Sequence, residues 1–246
     1  MVGSGKTQLT VDEAIAVIKK SFLPTVVIEG LDDVIVYRKV EDIGDGFISL
    51  LPVGGRDNVL SIYDRRDEFI DKSVAFIADK DLWVLTGIPS NYQSRNLIFT
   101  DGYSIENDVF RDVNVLNLMT NAEKESFGKE LERFLKWFSI ALSRNLNGDC
   151  SELKIHPNQV LDDDNEFDRM IRLNDNEIFP NELHDEILRD YSVKLRGKSL
   201  FALAIRNLSY KGRPVRHNHH SIMEHAVSRP GSLVEKIYSG VEKVFV

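Results

Sequence analysis

Two apolar runs that stop abruptly at carboxylates constrain this chain most. Thr25-Val26-Val27-Ile28 runs into Glu29-Gly30, and Val74-Ala75-Phe76-Ile77-Ala78 runs into Asp79-Lys80-Asp81. Short, largely β-branched runs bounded this sharply predict strands buried on both faces. Such strands belong to parallel sheets, which bind ligands just beyond the carboxyl ends of their strands. Glu29, Asp79 and Asp81 are therefore expected at one edge of a sheet, with alternation pointing Asp79 and Asp81 roughly the same way. Crowded carboxylates repel and raise one another's pKa unless a cation shares them. An all-oxygen donor set suits Mg²⁺ or Mn²⁺. The chemistry expected is a divalent-metal site acting on phosphate, with Glu29 as ligand or general base and Asp79 and Asp81 as ligands.

The flanking pattern predicts an α/β fold. Thr10 and Glu13 make a capping box before the apolar positions Ala14, Ile15, Val17 and Ile18, which predicts a helix ending before Pro24. Asp32 or Asp33 caps a second helix through Val34, Ile35, Tyr37 and Val40. Residues 47–53 predict another strand, leading into Gly54-Gly55-Arg56. Two glycines there let a backbone approach a ligand, and Arg56 adds a fork of donors; a tight turn with an exposed arginine is the plainer alternative. A helix over residues 58–69, the strand to Asp81 and a short strand over 96–100 follow. Alternation of this kind with short connections predicts a parallel sheet flanked by helices.

Next comes Tyr103-Ser104-Ile105-Glu106-Asn107. Glu106 is either a second metal position or part of a helix start, and Asn107 a tether for a neighbouring carboxylate. Beyond about residue 112 the period becomes helical, with a long amphipathic helix over 122–145 and further helices over 182–191 and 199–209. Asp162-Asp163-Asp164-Asn165-Glu166 reads as an exposed acidic loop or helix start. The expected organisation is an α/β domain over 1–112 and a mostly helical C-terminal subdomain over 113–246.

A net charge of −8 argues on its face against nucleic acid. The distribution weakens the objection. Residues 189–246 carry 11 Lys/Arg against 4 Asp/Glu, leaving 20 against 35 of the chain's 31 and 39 for the remainder. Within 189–220 the basic residues Arg189, Lys194, Arg196, Lys198, Arg206, Lys211, Arg213 and Arg216 face only Asp190. Phosphate binding depends on local basic surface, so this segment, with Arg213 and Arg216 meeting flanking phosphates, is the expected polyanion contact. His217, His219, His220 and His225 lie beside those arginines and read as RNA or partner contacts rather than a metal site. Gly3-Ser4-Gly5-Lys6-Thr7 resembles the tail of a P-loop, but the preceding glycine and strand are lacking, and a flexible N-terminus is expected. Cys150 is the single cysteine. No apolar run approaches a membrane span, no signal-peptide pattern is present, and a cytoplasmic protein is expected.

The ordered set Val27-Ile28-Glu29-Gly30, Gly54-Gly55-Arg56, Ile77-Ala78-Asp79-Lys80-Asp81 and Ser104-Ile105-Glu106-Asn107, with Arg196-Gly197-Lys198-Ser199-Leu200 downstream, resembles the Toprim domain of topoisomerases, primases and OLD-family nucleases. It also resembles bacterial Toprim effectors encoded beside ABC-type ATPases in PARIS-type anti-phage defence. The resemblance implies a Toprim-like sheet carrying Mg²⁺ or Mn²⁺ on Glu29, Asp79, Asp81 and Glu106. It also implies a catalytic Lys198 that neutralises transition-state charge, and substrate contacts from Gly54, Gly55, Arg56 and Lys80. The activity implied is a toxic endonuclease that cleaves RNA such as tRNA, is restrained by an ABC-type ATPase partner and forms a homodimer when freed. A phosphohydrolase of a small substrate, or a non-catalytic Toprim binding module, are the alternatives. The chain has little room for a DNA gate or primase template-binding modules.

Overall fold

The computed structural model describes residues 9–43, 47–149 and 151–245. The Gly3–Thr7 stretch and Cys150 lie outside the described residues. The chain divides into two compact units, one holding residues up to Asp101 together with those from Met223 onward, the other Gly102–Ile222.

The first unit is built on four parallel strands, β1 (Thr25–Ile28), β2 (Ser49–Pro52), β3 (Val74–Ala78) and β4 (Leu97–Phe99), in the order β2-β1-β3-β4. Every residue of β1 and β3 is buried, as their unbroken apolar runs require. Helix α1 (Val11–Lys20) begins at the expected capping box: Glu13 accepts from the Thr10 N–H at 2.8 Å, and Thr10 Oγ1 accepts from the Glu13 N–H at 3.2 Å. Its Ala14, Ile15 and Ile18 join Val27, Phe76 and Ala78 of the strands and Val59, Ile62 and Tyr63 in one apolar cluster. The opposite face of the sheet meets the closing helix Ser232–Phe245, which packs on β3 and β4. There Gly240 faces Ile98 so closely that an added Cβ would sit 3.2 Å from it.

Two expected helices in this unit differ in detail. The helix after Glu29 is split into α2 (Val34–Tyr37) and α3 (Lys39–Ile43). Asp33 precedes α2 but gives it no side-chain cap, because its carboxylate turns back to the Gly30 N–H at 2.8 Å. The helix expected over 58–69 is α4 (Arg56–Asp64) followed by a tighter 3-10 turn, Arg66–Phe69. The break falls at Arg65, whose guanidinium bridges Asp12 and Glu68, while the tighter turn carries Phe69 into the core. Helix α5 (Trp83–Thr86) is a single turn after β3.

Among its described residues the second unit holds helices and no strand: α6 (Ile105–Asp112), α7 (Asn121–Leu146), α8 (Pro157–Leu161), α9 (Asp164–Met170), α10 (Asn181–Arg189), α11 (Tyr191–Lys194) and α12 (Gly197–Leu208), with α13 (His219–Ser228) carrying the chain across the boundary. Helix α7 buries Phe127, Leu131, Phe134, Leu135, Phe138 and Leu142 at helical spacing, and packs against α10 and α12. The acidic run is a helix start: Asp163 Oδ1 accepts from the backbone N–H groups of Asn165 at 2.8 Å and Glu166 at 3.2 Å. Among the described residues, no helix is long and apolar enough to cross a membrane.

Candidate functional site

The strand order reverses between β1 and β3: the chain steps from β1 out to β2, then returns to β3 on the other side. In open parallel sheets a crevice forms at such a point, outside the carboxyl ends of the two strands. Glu29 directly follows β1 and Asp79 directly follows β3. They meet there, with Glu29 Oε1 accepting from the Asp79 N–H at 2.7 Å.

The backbone of Glu29 is fixed from the other side. Its carbonyl oxygen accepts from both the Gly54 N–H, at 2.6 Å, and the Gly55 N–H, at 2.9 Å. These two glycines have φ of 91° and 131°, where an L side chain is strained. The Gly-Gly pair, expected from sequence to meet substrate, secures the backbone of Glu29 through both of its N–H groups.

Burial pushes the Glu29 carboxyl up to about 7; the Asp79 N–H and the Arg56 charge oppose the rise, and the negative charges of Asp81 and Asp33 add to it. Asp81 itself has φ of 48°, and its carboxylate stands 3.5 Å from Arg56 Nη1. The guanidinium carbon of Arg56 sits over the ring of Trp83, 3.7 Å from its centroid, and Trp83 stacks in turn on Tyr92 at 5.3 Å. Lys80, expected to meet substrate, donates from Nζ to the Asp101 carbonyl at 2.8 Å, tying the ends of β3 and β4 together.

The oxygen donors and the mutual repulsion at Glu29 are of the kind a hard divalent cation relieves, so the residues fit Mg²⁺ or Mn²⁺ in chemistry. Their arrangement is looser than a finished ligand set. Among the described residues, no group of three or more His, Cys, Asp or Glu side chains is gathered to hold a metal ion. One oxygen of Glu29 is engaged by the Asp79 backbone, and Asp81 stands towards Arg56.

Glu106 belongs to the second unit. Ser104 is the N-cap residue of α6, with Asn107 Oδ1 reaching back to its N–H at 3.0 Å, so the stretch is a helix start. Asn107, fully buried, donates from Nδ2 to the carbonyls of Ser192 at 3.0 Å and Leu195 at 2.9 Å. It tethers backbone, not a carboxylate. Glu106 is 3% exposed, accepts from Ser104 Oγ at 2.5 Å, and has His219 Nε2 at 3.6 Å, an ion-pair distance longer than a hydrogen bond. Burial pushes its carboxyl up, but His219, Ser104, its own backbone N–H and the Lys198 charge together hold it below the usual range. Lys198 is exposed in the first turn of α12 and acts on Glu106 through its field.

The basic segment is less available than its sequence implies. Lys194 pairs with Glu186 and Asp190, and Arg206 with Glu130 and Asp162. Arg213, expected to meet a phosphate, has a side chain only 10% exposed. It bonds Glu123 at 2.9 Å, the Leu118 carbonyl at 2.6 Å and the Val215 carbonyl, which occupies its fork within the unit. Arg216 remains exposed. Among the histidines, His219 turns inward, its ring 5.1 Å from Phe201 and 5.6 Å from His220.

Sequence reasoning missed Trp83 and gave other roles to Asp33, read as a helix cap, to Ser104, read only as part of its motif, and to His219, read as an RNA or partner contact. Asp33 carried a usable signal, since a third carboxylate within four residues of Glu29 belongs with the same strand end. His219 carried none, because its partner lies far away in the chain. No protein-family model and no curated protein matches this chain.

Proposed function

We propose that this protein is a Toprim-type, metal-dependent phosphodiesterase whose chemistry centres on Glu29, and that it acts as an endonuclease on RNA such as tRNA. One observation carries the reading: a carboxyl pinned at the reversal point of a parallel sheet, with Asp81 and Asp33 close enough to help raise it to about 7. A group titrating near neutrality suits removal of a proton from an attacking water. With Oε1 held by the Asp79 N–H, Oε2 is the oxygen left to take that proton or to serve as a ligand. Asp79 and Asp81 would complete the ligand set, Asp81 turning from Arg56 to do so. A bound Mg²⁺ supplies Lewis-acid polarisation of a phosphoryl oxygen. Glu106 and Lys198 enter on family resemblance; their own surroundings support a buried anion with a cation in its field.

By the same resemblance, the protein works in the cytoplasm as a toxic effector of anti-phage defence, is restrained by an ABC-type ATPase and dimerises on release. A second reading, a phosphohydrolase of a small substrate, is favoured by the ion pairs of Lys194, Arg206 and Arg213, which withdraw charge from a polymer-binding surface. Purified protein is to be incubated with labelled tRNA, mRNA and plasmid, and with a small phosphodiester reporter, in Mg²⁺, Mn²⁺ or EDTA. Metal-dependent cleavage of RNA that is lost in Glu29→Gln supports the nuclease. Turnover of the reporter alone supports the second reading, and metal-independent or Glu29-independent cleavage overturns both.

A further inference from the structure

We infer that Arg56 forms an oxyanion slot beside Glu29, and that the group it takes is a tetrahedral phosphate. The choice of phosphate rests on the phosphoryl chemistry proposed above; the slot itself stands on the arginine. Its side chain is 15% exposed and held on two sides, by Trp83 under its face and by Asp81 at Nη1. The other edge, Nε and Nη2, is buried and has no acceptor. Those two N–H groups lie on the same side of the guanidinium, the geometry that grips two oxygens of one phosphate or carboxylate. Buried donors on a charged group are costly to leave unmet, so an arginine fixed with this edge vacant is shaped for an acceptor.

The surroundings point the same way. Arg56 opens α4, and Gly55 in the N-cap position brings no side-chain acceptor to its first turn. A Cβ built on Gly55 would meet nothing within 4 Å, so there is room beside the helix start. An anion placed there gains from the helix N-terminus as well as from the guanidinium. Neither Nε nor Nη2 touches solvent, so filling the slot requires Arg56 or Trp83 to shift. That coupling makes Trp83 the reporter.

The chain has two tryptophans, Trp83 and the core residue Trp137, so a Trp137→Phe background leaves Trp83 as sole emitter. The titration uses inorganic phosphate without metal, so the metal reading is not needed. A saturable change in Trp83 emission is expected, with none from chloride at equal ionic strength and none in Arg56→Gln. Arg56→Lys keeps the charge but loses the fork, and should bind roughly tenfold more weakly. If Arg56→Gln fails to fold, the Nε–H resonance of Arg56 in the wild-type protein is the second readout, and it should move with phosphate. A resonance that stays put, a chloride response equal to that of phosphate, or an Arg56→Gln protein that responds like wild type overturns the slot. Acetate matching phosphate would overturn the choice of phosphate. Metal-dependent cleavage that persists after any of these failures leaves the Glu29 chemistry standing.

Discussion

The side chain of Glu29 accepts the backbone N–H of Asp79 at 2.7 Å, joining the ends of the two strands between which the sheet reverses. The bond ties the position of the carboxyl to the sheet itself, so its chemistry is separable from its scaffolding. Glutamine at position 29 can accept the same bond through its amide oxygen while losing the charge and the basicity.

Glu29→Gln should therefore abolish cleavage and raise stability. With a folded-state value near 7 against 4.5 unfolded, ionising this group costs the native state. The favourable contribution is complete below pH 4.5 and lost progressively as pH rises to about 7. Glutamine escapes that loss, so the variant should match wild type at pH 4.5 and exceed it at pH 8 by about 1–2 kcal/mol, a few degrees in Tm, after discounting for partial exposure. Thermal melts at the two pH values test it; a variant less stable at pH 8 would assign Glu29 a structural role.

Metal binding should release protons. At pH 6.5 the carboxyl of Glu29 is largely protonated, and a divalent cation bound to it must displace that proton. Calorimetric titration with Mg²⁺ in buffers of different ionisation enthalpy should show up to about one proton released at pH 6.5 and almost none at pH 8.5. Equal heats in all buffers at pH 6.5 would remove Glu29 from the ligand set.

The sheet was legible because its signal is local. Val26–Ile28 and Val74–Ala78 are apolar without interruption, the pattern of strands buried on both faces of a parallel sheet. The carboxylates could be placed because a strand end fixes where the next side chain emerges. Partnerships were not legible. Arg213 looked like surface charge in a basic segment, yet Glu123, in a distant helix start, claims it. Glu106 of α6 and His219, the first residue of α13, meet for the same kind of reason, across more than a hundred residues of chain and with no local pattern to encode it. The Gly-Gly pair is legible in the sequence, but its hydrogen bonds to the carbonyl of Glu29, two dozen residues earlier, are not.

Gly197→Ala should disrupt the second unit. A Cβ there would lie 2.1 Å from Ser104 Oγ, 2.7 Å from Asn107 Oδ1 and 2.9 Å from Glu106 Cβ. Those atoms belong to a helix start whose hydrogen bonds are all in use, so they cannot all move aside. A loss of roughly 2–4 kcal/mol is expected, typical of overpacking with broken buried hydrogen bonds. Hydrogen exchange should find the loss in α6 and α12. An unchanged melting curve would mean that the two helix starts separate easily.

Arg213 and Arg216 should part company when each is changed to alanine. Arg213 holds Glu123, Leu118 and Val215 together, and Glu123 is drawn down to about 2 chiefly by that arginine. A carboxyl lowered in the folded state contributes stability that is complete above pH 4.5 and lost as pH falls towards 2. Arg213→Ala should thus lower Tm at pH 7, with the gap to wild type closing towards pH 2. Arg216 is exposed and should leave Tm unchanged. If the segment contacts RNA, Arg216→Ala should reduce the slope of log affinity against log salt by about one unit, the signature of one lost phosphate contact. Arg213→Ala, compared at a temperature where it is folded, should leave that slope alone. The opposite pattern, an unchanged Tm and a reduced slope for Arg213→Ala, would mean that its ion pair opens to meet phosphate. That outcome would restore the polymer-binding surface which the pairing with Glu123 otherwise withdraws.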